Sequence, residues 1–258
     1  MNIITWNIRG LNGRSKEKML RDLILVEKPE ILLLQETKCT LEDIDRLLPY
    51  CWKQGATVSI DATGIDGGLA ILWNTNAVLL ENFLTTKWSI TADYRLIGSN
   101  KPGHLTNVYG PASPRDKQAF LRSLSYVFSL TQYNSWTVGG DFNIIHSLEE
   151  KKGGSRRLDQ DSNDFNSLID DLHLIDLETN NGIHTWTNRR TGIHQIAYRL
   201  DRFQISESLM MDGTAMESTI LNFLGSDHWP LQLWVDIPAT PSKKPFRFEQ
   251  FLLDHPDF

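Results

Sequence analysis

The chain has 258 residues, 40% of them hydrophobic, and a formal net charge of −6, which suits one large or two small globular domains with a sizeable core. Its two cysteines, Cys39 and Cys51, have no Cys or His neighbours at zinc-ligand spacing, which argues against a disulfide framework and a structural zinc and for a reducing compartment. No apolar run approaches the roughly 20 residues that span a bilayer, and no basic n-region opens the chain, so a soluble, unsecreted protein without a membrane partner is expected.

Short apolar runs alternate with helical periodicity in the first half, an α/β pattern. A strand over residues 2–7 precedes a helix with Met19, Leu20, Leu23 and Ile24 on its apolar stripe, closed by Pro29. The run Ile31-Leu32-Leu33-Leu34-Gln35 predicts a buried strand ending at Glu36. A second helix follows, with Thr40 as N-cap, Asp43 three residues on, and Leu41, Ile44, Leu47 and Leu48 on one face.

From 55 to 109 the pattern changes to strands joined by turns, at 67–73, 77–83, 96–98 and 105–109, which favours antiparallel pairing. Ser113-Pro114-Arg115-Asp116 supplies an N-cap, a proline at N1 and an acid at N3 for a helix that buries Phe120, Leu124, Val127 and Phe128. Another helix follows Ser162, with Phe165, Leu168, Ile169 and Leu172 inward, and strands return at 185–187, 198–205 and 229–235. No internal linker or repeat interrupts this order. The expected fold is α/β, two packed, mainly antiparallel sheets with helices on their outer faces, forming one domain over residues 1–236. Pro238, Pro241 and Pro245 with Lys243-Lys244 make 237–258 read as a tether, and its apolar end, Phe246-Arg247-Phe248, as the approach to further chain.

Polar residues stand where the apolar runs stop, and strand ends are where a rigid scaffold gathers side chains from distant parts of a chain. Glu36 is the best anchor for a hard divalent ion, which takes one or two carboxylates plus phosphate and water. Asn7 can orient it or add an oxygen; alone, it would read as a turn former. Asp141 and Asn143 fall on one side of an extended segment, a carboxylate to polarise water and an amide to direct it, with an Asx turn as the alternative.

His228 stands directly beside an aspartate, Asp227, as does His255 beside Asp254, but His255 lies in the expected tether. Asp201, inside a strand pattern, would be costly if buried alone; pairing with His228 resolves that, and a bridge from Asp201 to Arg199 or Arg202 is the competing reading. Basic residues gather in the second half at Lys151, Lys152, Arg156, Arg157, Arg189, Arg190, Arg199 and Arg202, as candidates for nucleic-acid contact or as plain solvated surface. There is no Walker loop, no Gly-x-Gly-x-x-Gly, no His-Glu-x-x-His and no Gly-x-Ser-x-Gly, which argues against nucleotide-cofactor enzymes, zinc hydrolases and serine hydrolases.

Taken together, Thr5-Trp6-Asn7, Gln35-Glu36-Thr37, Val108-Tyr109, Gly140-Asp141-Phe142-Asn143, Leu200-Asp201-Arg202 and Ser226-Asp227-His228 resemble the endonuclease/exonuclease/phosphatase (DNase I-like) superfamily over residues 1–236. Within it, Trp6-Asn7-Ile8-Arg9-Gly10-Leu11, Gly67-Gly68-Leu69, His184-Thr185-Trp186-Thr187-Asn188 and Asp227-His228-Trp229-Pro230-Leu231 look like the endonuclease domain of plant LINE-type non-LTR retrotransposons. The resemblance implies a four-layer α/β sandwich and a DNA endonuclease using Mg²⁺, with Mn²⁺ as a substitute. It nicks one strand of double-stranded DNA and leaves a 3′-hydroxyl for target-primed reverse transcription. The reverse-transcriptase domain of the same polyprotein would be its partner, the nucleus its place of action and a monomer its isolated state.

By the same resemblance Asp141 is the general base, supported by Asn143, and His228, oriented by Asp201, binds a non-bridging oxygen. Glu36 holds the metal, with Asp227 and Asn7 as further ligands or orienting groups, while Tyr109 and Asn7 support the phosphate. Two residues depart from repair members: Arg9 stands where many have a metal-binding acid, and Ala112 where they have asparagine. The first implies weaker Mg²⁺ retention and a DNA contact for Arg9; the second disfavours strong apurinic-site repair. The alternatives are a repair nuclease or phosphatase of the same fold, and an inactive nucleic-acid-binding domain of a decayed element.

Overall fold

The computed structural model describes residues 1–64, 67–98, 102–131, 135–155, 157–211, 214–223 and 225–236. The expected tether over 237–258 and Arg156 lie outside the described residues. β1 (Asn2–Asn7) is buried throughout and runs parallel to β2 (Ile31–Gln35), with α1 (Arg14–Glu27) as the crossover that parallel pairing requires. α2 (Leu41–Cys51) opens with the expected capping box: the Thr40 hydroxyl accepts from Asp43 N, and the Asp43 carboxylate accepts from Thr40 N. β3 (Gly55–Ile60) and β4 (Leu69–Asn74) form a hairpin against β2.

β5 (Val78–Thr85), β6 (Ser89–Leu96) and β7 (Pro102–Tyr109) form an antiparallel meander. The expected strand at 96–98 is instead the end of β6 followed by a turn. Asp93 and Arg95 break the apolar signal of β6, whose inward residues are Ile90, Ala92 and Tyr94. α3 (Pro114–Leu130) then crosses over to β8 (Trp136–Asp141), parallel to β7.

Further along come β9 (Lys151–Lys152), α4 (Gln160–Asp171), β10 (Leu174–Asp176), β11 (Trp186–Thr187) and β12 (Ala197–Tyr198). The described residues end with β13 (Asp201–Ser206), α5 (Glu207–Met211), β14 (Ala215–Ile220) and β15 (Leu231–Asp236). α4 starts before Ser162, with Asp159 at its N-cap position and Ser162 buried inside it. The segment expected as one strand at 198–205 is two, because the chain leaves β12 at Arg199 and re-enters a different sheet at Asp201.

One six-stranded sheet has the order β14-β15-β1-β2-β4-β3, the other β10-β13-β8-β7-β6-β5. Each repeats one plan: a central parallel pair made by a helical crossover, extended by antiparallel neighbours. Period-two alternation sends Ile3, Ile31, Leu33 and Ile71 toward Ile90, Leu105 and Phe203 of the second sheet. Ile4, Trp6, Leu32 and Leu34 face Leu20, Leu23 and Ile44 of α1 and α2, while Trp136 and Val138 face Phe120, Leu124 and Phe165 of α3 and α4. The result is a helix–sheet–sheet–helix sandwich, as expected. Each fully buried large apolar side chain adds about 1.5–3 kcal/mol. Polar groups also cross the interface: Asn107 of β7 donates to Leu34 O and Ala70 O and accepts from Gln35 Nε2 at 2.6 Å, so the two sheets are held in fixed register.

Candidate active site

The sheets bring β1, β2, β7 and β8 to one edge with their C-terminal ends together. In the second sheet Tyr109 is the register partner of Asp141, and Asp141 of Asp201. Across the sandwich, Asn7 Nδ2 donates to Asp141 Oδ2 at 2.9 Å, so the two sheets meet chemically at this point. Arg9, Glu36 and Asn143 each leave their strand with φ between 53° and 55°. Such left-handed backbone costs about 1–3 kcal/mol per residue and gathers where function requires a particular side-chain direction.

Asp141 is 1% exposed and accepts three hydrogen bonds. Its Oδ1 accepts from Asn143 N at 2.9 Å, and its Oδ2 accepts from Asn7 and from Asn143 Nδ2 at 3.2 Å. Asn143 also donates to Gly110 O at 2.8 Å, and its own carbonyl accepts from Lys117 Nζ. His228 Nδ1 lies 2.8 Å from Asp201 Oδ2, and its Nε2 lies 3.9 Å from Asp141 Oδ2. The Thr185 hydroxyl accepts from Asp201 N at 2.9 Å and from Leu200 N at 3.0 Å, fixing the entry to β13.

Burial by itself lowers the pKa of His228, but Asp201 and Asp141 outweigh it and raise the imidazole to about 9. Burial and the charge of Asp201 push Asp141 up, to about 6, against the pull of His228 and Asn7. At neutral pH the pair is therefore an imidazolium donor facing a carboxylate more basic than usual. That is the protonation state needed by a group that donates to a phosphate oxygen beside one that accepts a proton from water.

Glu36, 5% exposed, forms the outer part of the site. Arg9 Nη1 is 3.3 Å from Glu36 Oε2, Lys38 Nζ is 3.2 Å from Oε1, and the Tyr109 hydroxyl donates to Oε2 at 3.4 Å. Burial, reinforced by Glu36 and Asp141, pushes the Tyr109 phenol far above its usual range, so it remains a donor. Asp227 accepts a two-pronged contact from Arg9, Nε to Oδ1 at 2.8 Å and Nη2 to Oδ2 at 3.1 Å, and a bond from Trp186 Nε1 at 2.9 Å. Burial opposes its ionisation, yet Trp186 and Arg9 prevail and hold it below the ordinary carboxylate range.

Two acidic groups compete as metal holders. Asp141, Asp201 and His228 have ligand atoms within 4.8 Å of one another, but Asp201 already holds His228 Nδ1 at 2.8 Å, and an ion there would have to displace the imidazole's proton. Glu36 and Asp227 offer hard oxygens that already attract Arg9 and Lys38, and this donor chemistry fits a hard divalent ion such as Mg²⁺. From Arg9, Glu36 and Tyr109 a groove of about 710 Å³ extends to Lys87, Trp88 and Asp116.

The expected nucleic-acid contacts divide. Arg189 and Arg190 are exposed in the loop joining β11 and β12, and Lys152 and Arg157 are exposed near β9, with Lys151 half-buried over the Tyr198 ring. β9, β11 and β12 form a small sheet tied to the site by the bridge between Trp186 and His228. Arg199 and Arg202 do not belong on the list: they are 6% and 0% exposed and paired with Glu150 and Asp176. Nor do they bridge Asp201, because Arg202, its neighbour on β13, faces the other side of the sheet. Sequence reasoning assigned no role to Lys38, Lys117 or Trp186. The motifs around Glu36 and Thr185 contain Lys38 and Trp186, whereas Lys117 lies in an ordinary helical pattern without any signal.

Comparison with known proteins agrees with this fold. Residues 4–241 match the Endonuclease/Exonuclease/phosphatase family. An exodeoxyribonuclease of Bacillus subtilis (strain 168) is 25% identical over 263 residues, covering 92% of this chain and 100% of its own. The AP endonuclease LMAP from Leishmania major superposes with a TM-score of 0.74 at 18% identity, over 92% of this chain and 88% of that one. The endonuclease domain of TRAS1, a telomere-specific non-LTR retrotransposon, superposes with a TM-score of 0.69 at 17% identity, over 92% and 99%.

Proposed function

The chain belongs to the Endonuclease/Exonuclease/phosphatase family, and from that premise we propose that it is a DNA endonuclease that nicks one strand and leaves a 3′-hydroxyl for target-primed reverse transcription of a LINE-type element. The observation that carries the hydrolytic step is the 3.9 Å gap between His228 Nε2 and Asp141 Oδ2, where a protonated donor and a basic carboxylate face each other. Water attacks phosphorus and gives a proton to Asp141, which Asn7 and Asn143 hold in place. His228, oriented by Asp201, donates to a non-bridging oxygen on which charge develops. The new bond is from water oxygen to phosphorus and the broken one runs from phosphorus to the 3′ oxygen, which takes a proton from solvent, giving a 5′-phosphate and a 3′-hydroxyl. Mg²⁺ or Mn²⁺, held by Glu36 and Asp227, would supply neutralisation of the phosphate and the leaving oxygen.

Double-stranded DNA is the substrate, met by the loop with Arg189 and Arg190 and by Lys151, Lys152 and Arg157. These contacts go mainly to phosphate, which positions the duplex without reading bases. Likeness to a retrotransposon endonuclease domain and the motifs around Arg9 and His228 support a reverse-transcriptase partner on the same polyprotein and action in the nucleus. Likeness to an AP endonuclease supports a second reading, abasic-site repair, which the residue Ala112 disfavours. End-labelled plain and abasic duplexes, cut side by side, separate the two. The proposal expects nicks in plain DNA whose ends a polymerase extends directly. Cleavage confined to abasic sites, or to a terminal phosphomonoester, contradicts it.

A further inference from the structure

Arg9 has no part in the hydrolytic step, yet it occupies the centre of the outer site. Its two-pronged grip on Asp227 uses Nε and Nη2, at 2.8 and 3.1 Å, and its remaining nitrogen reaches Glu36 at 3.3 Å. Lys38 takes the other oxygen of Glu36 at 3.2 Å. Two basic side chains thus neutralise the two carboxylates best suited to hold a divalent ion.

The position is built rather than incidental. The Arg9 backbone is left-handed (φ 55°), its N–H donates to Asn7 Oδ1 at 3.2 Å, and the next residue, Gly10, donates from its N to Glu36 O at 2.7 Å. The side chain itself is 42% exposed, so its guanidinium is open to solvent and to another acceptor.

We propose that Arg9 competes with the divalent cation for Glu36 and Asp227, and that DNA phosphate relieves this competition, so that metal and DNA bind cooperatively. This deepens the nuclease reading and rests on it for the metal's place. A guanidinium and a hard cation seek the same carboxylate oxygens. With the ion bound at Glu36 and Asp227, the Arg9 guanidinium must leave at least one of them and then needs another acceptor. Arginine forms matching two-point contacts with phosphate as readily as with carboxylate, and the scissile region of a DNA strand brings phosphates to this groove. Each ligand then raises the affinity of the other by the same factor.

The test measures metal binding in the full 258-residue chain, with Asp141→Asn in every sample to prevent turnover. Mn²⁺ is the probe, and its free concentration is counted by electron paramagnetic resonance. Without DNA, Arg9→Gln should bind Mn²⁺ about tenfold or more tighter than the protein with Arg9, and Mn²⁺ should raise its melting temperature further at equal ion concentration. A short saturating duplex should tighten Mn²⁺ about fivefold or more with Arg9 present and less than about twofold in Arg9→Gln, the low end of ordinary coupling. Equal affinities with and without Arg9, or equal tightening by the duplex, overturn the proposal. Glu36→Gln distinguishes that failure from a failure of the underlying reading. If it abolishes Mn²⁺ binding, the metal site stands and Arg9 alone is acquitted; if binding is undiminished, the site assignment falls and the proposal with it.

Discussion

Asp201 and Arg202 are neighbours at the start of β13, yet alternation along the strand sends Asp201 toward His228 and Arg202 toward Glu150 and Asp176. Two buried charge clusters therefore lie back to back on one strand. In the first, two carboxylates, Asp141 and Asp201, share a single imidazole, and Asp201 Oδ1 is buried without a partner. In the second, two guanidinium groups meet two carboxylates, and all four carboxylate oxygens of Glu150 and Asp176 accept hydrogen bonds. The unbalanced cluster has displaced proton affinities at Asp141 and His228, which is useful for proton transfer. The balanced one locks the segments around Glu150, Asp176 and Arg199 to β13. Burial of charge does not by itself identify a site, nor does a cavity beside it, since Glu150, Asp176 and Arg199 line one of about 340 Å³; the imbalance is what sets the first cluster apart.

That contrast makes distinct predictions for the two sides. Asp141→Ala, His228→Ala and Glu36→Ala should each lower nicking by about 10² to 10³ or more, with circular dichroism close to wild type. Undiminished nicking by any of them removes that residue from the account. Arg202→Ala should do the reverse: by leaving Glu150 and Asp176 to Arg199 alone it costs about 3–5 kcal/mol of stability, read by urea unfolding. An unchanged urea midpoint would erase the contrast.

The pH profile tests the imbalance. Asp141 must lose its proton to act as base, so nicking should rise through about 6. His228 must keep its proton, so nicking should fall through about 9. For stability the sign is fixed too: a histidine raised in the folded state contributes fully below its unfolded value of 6.5, and that contribution is lost as pH climbs through about 9. His228→Gln should therefore remove the alkaline limb of both profiles, and a limb that persists would assign it elsewhere. The smallest effect belongs to the exposed arginines. Arg189→Ala with Arg190→Ala should weaken duplex binding and flatten its dependence on log salt by about 1–2 units of slope, with unfolding unaffected; an unchanged slope would take that loop off the duplex.

Much of the candidate site was legible because its residues sit where apolar strands stop. The runs before Glu36 and Asp141 are continuous enough to read as buried strands, and the Asp201–His228 pairing followed from the cost of a lone buried carboxylate. Arg199 and Arg202 were misread because a basic residue looks alike in sequence whether it faces DNA or Glu150. Their partners, Glu150 and Asp176, lie roughly 50 and 25 residues away, too distant for a local pattern to link. Lys117 was invisible for a related reason: a lysine inside an amphipathic helix reads as solvent-facing, and only the return of the loop at Asn143 buries it. The strands β6 and β14 carry interspersed charges such as Asp93, Arg95 and Glu217, which weaken the alternation that marks a strand.

The central claim is that the buried, unbalanced cluster around Asp141 hydrolyses DNA. Its most direct test is nicking of supercoiled plasmid by the wild type and by Asp141→Ala, each with Mg²⁺ and with EDTA. The account predicts open circles from the wild type with Mg²⁺ alone. Plasmid that stays supercoiled in the presence of folded, DNA-binding wild-type protein, or that Asp141→Ala nicks equally well, would contradict it.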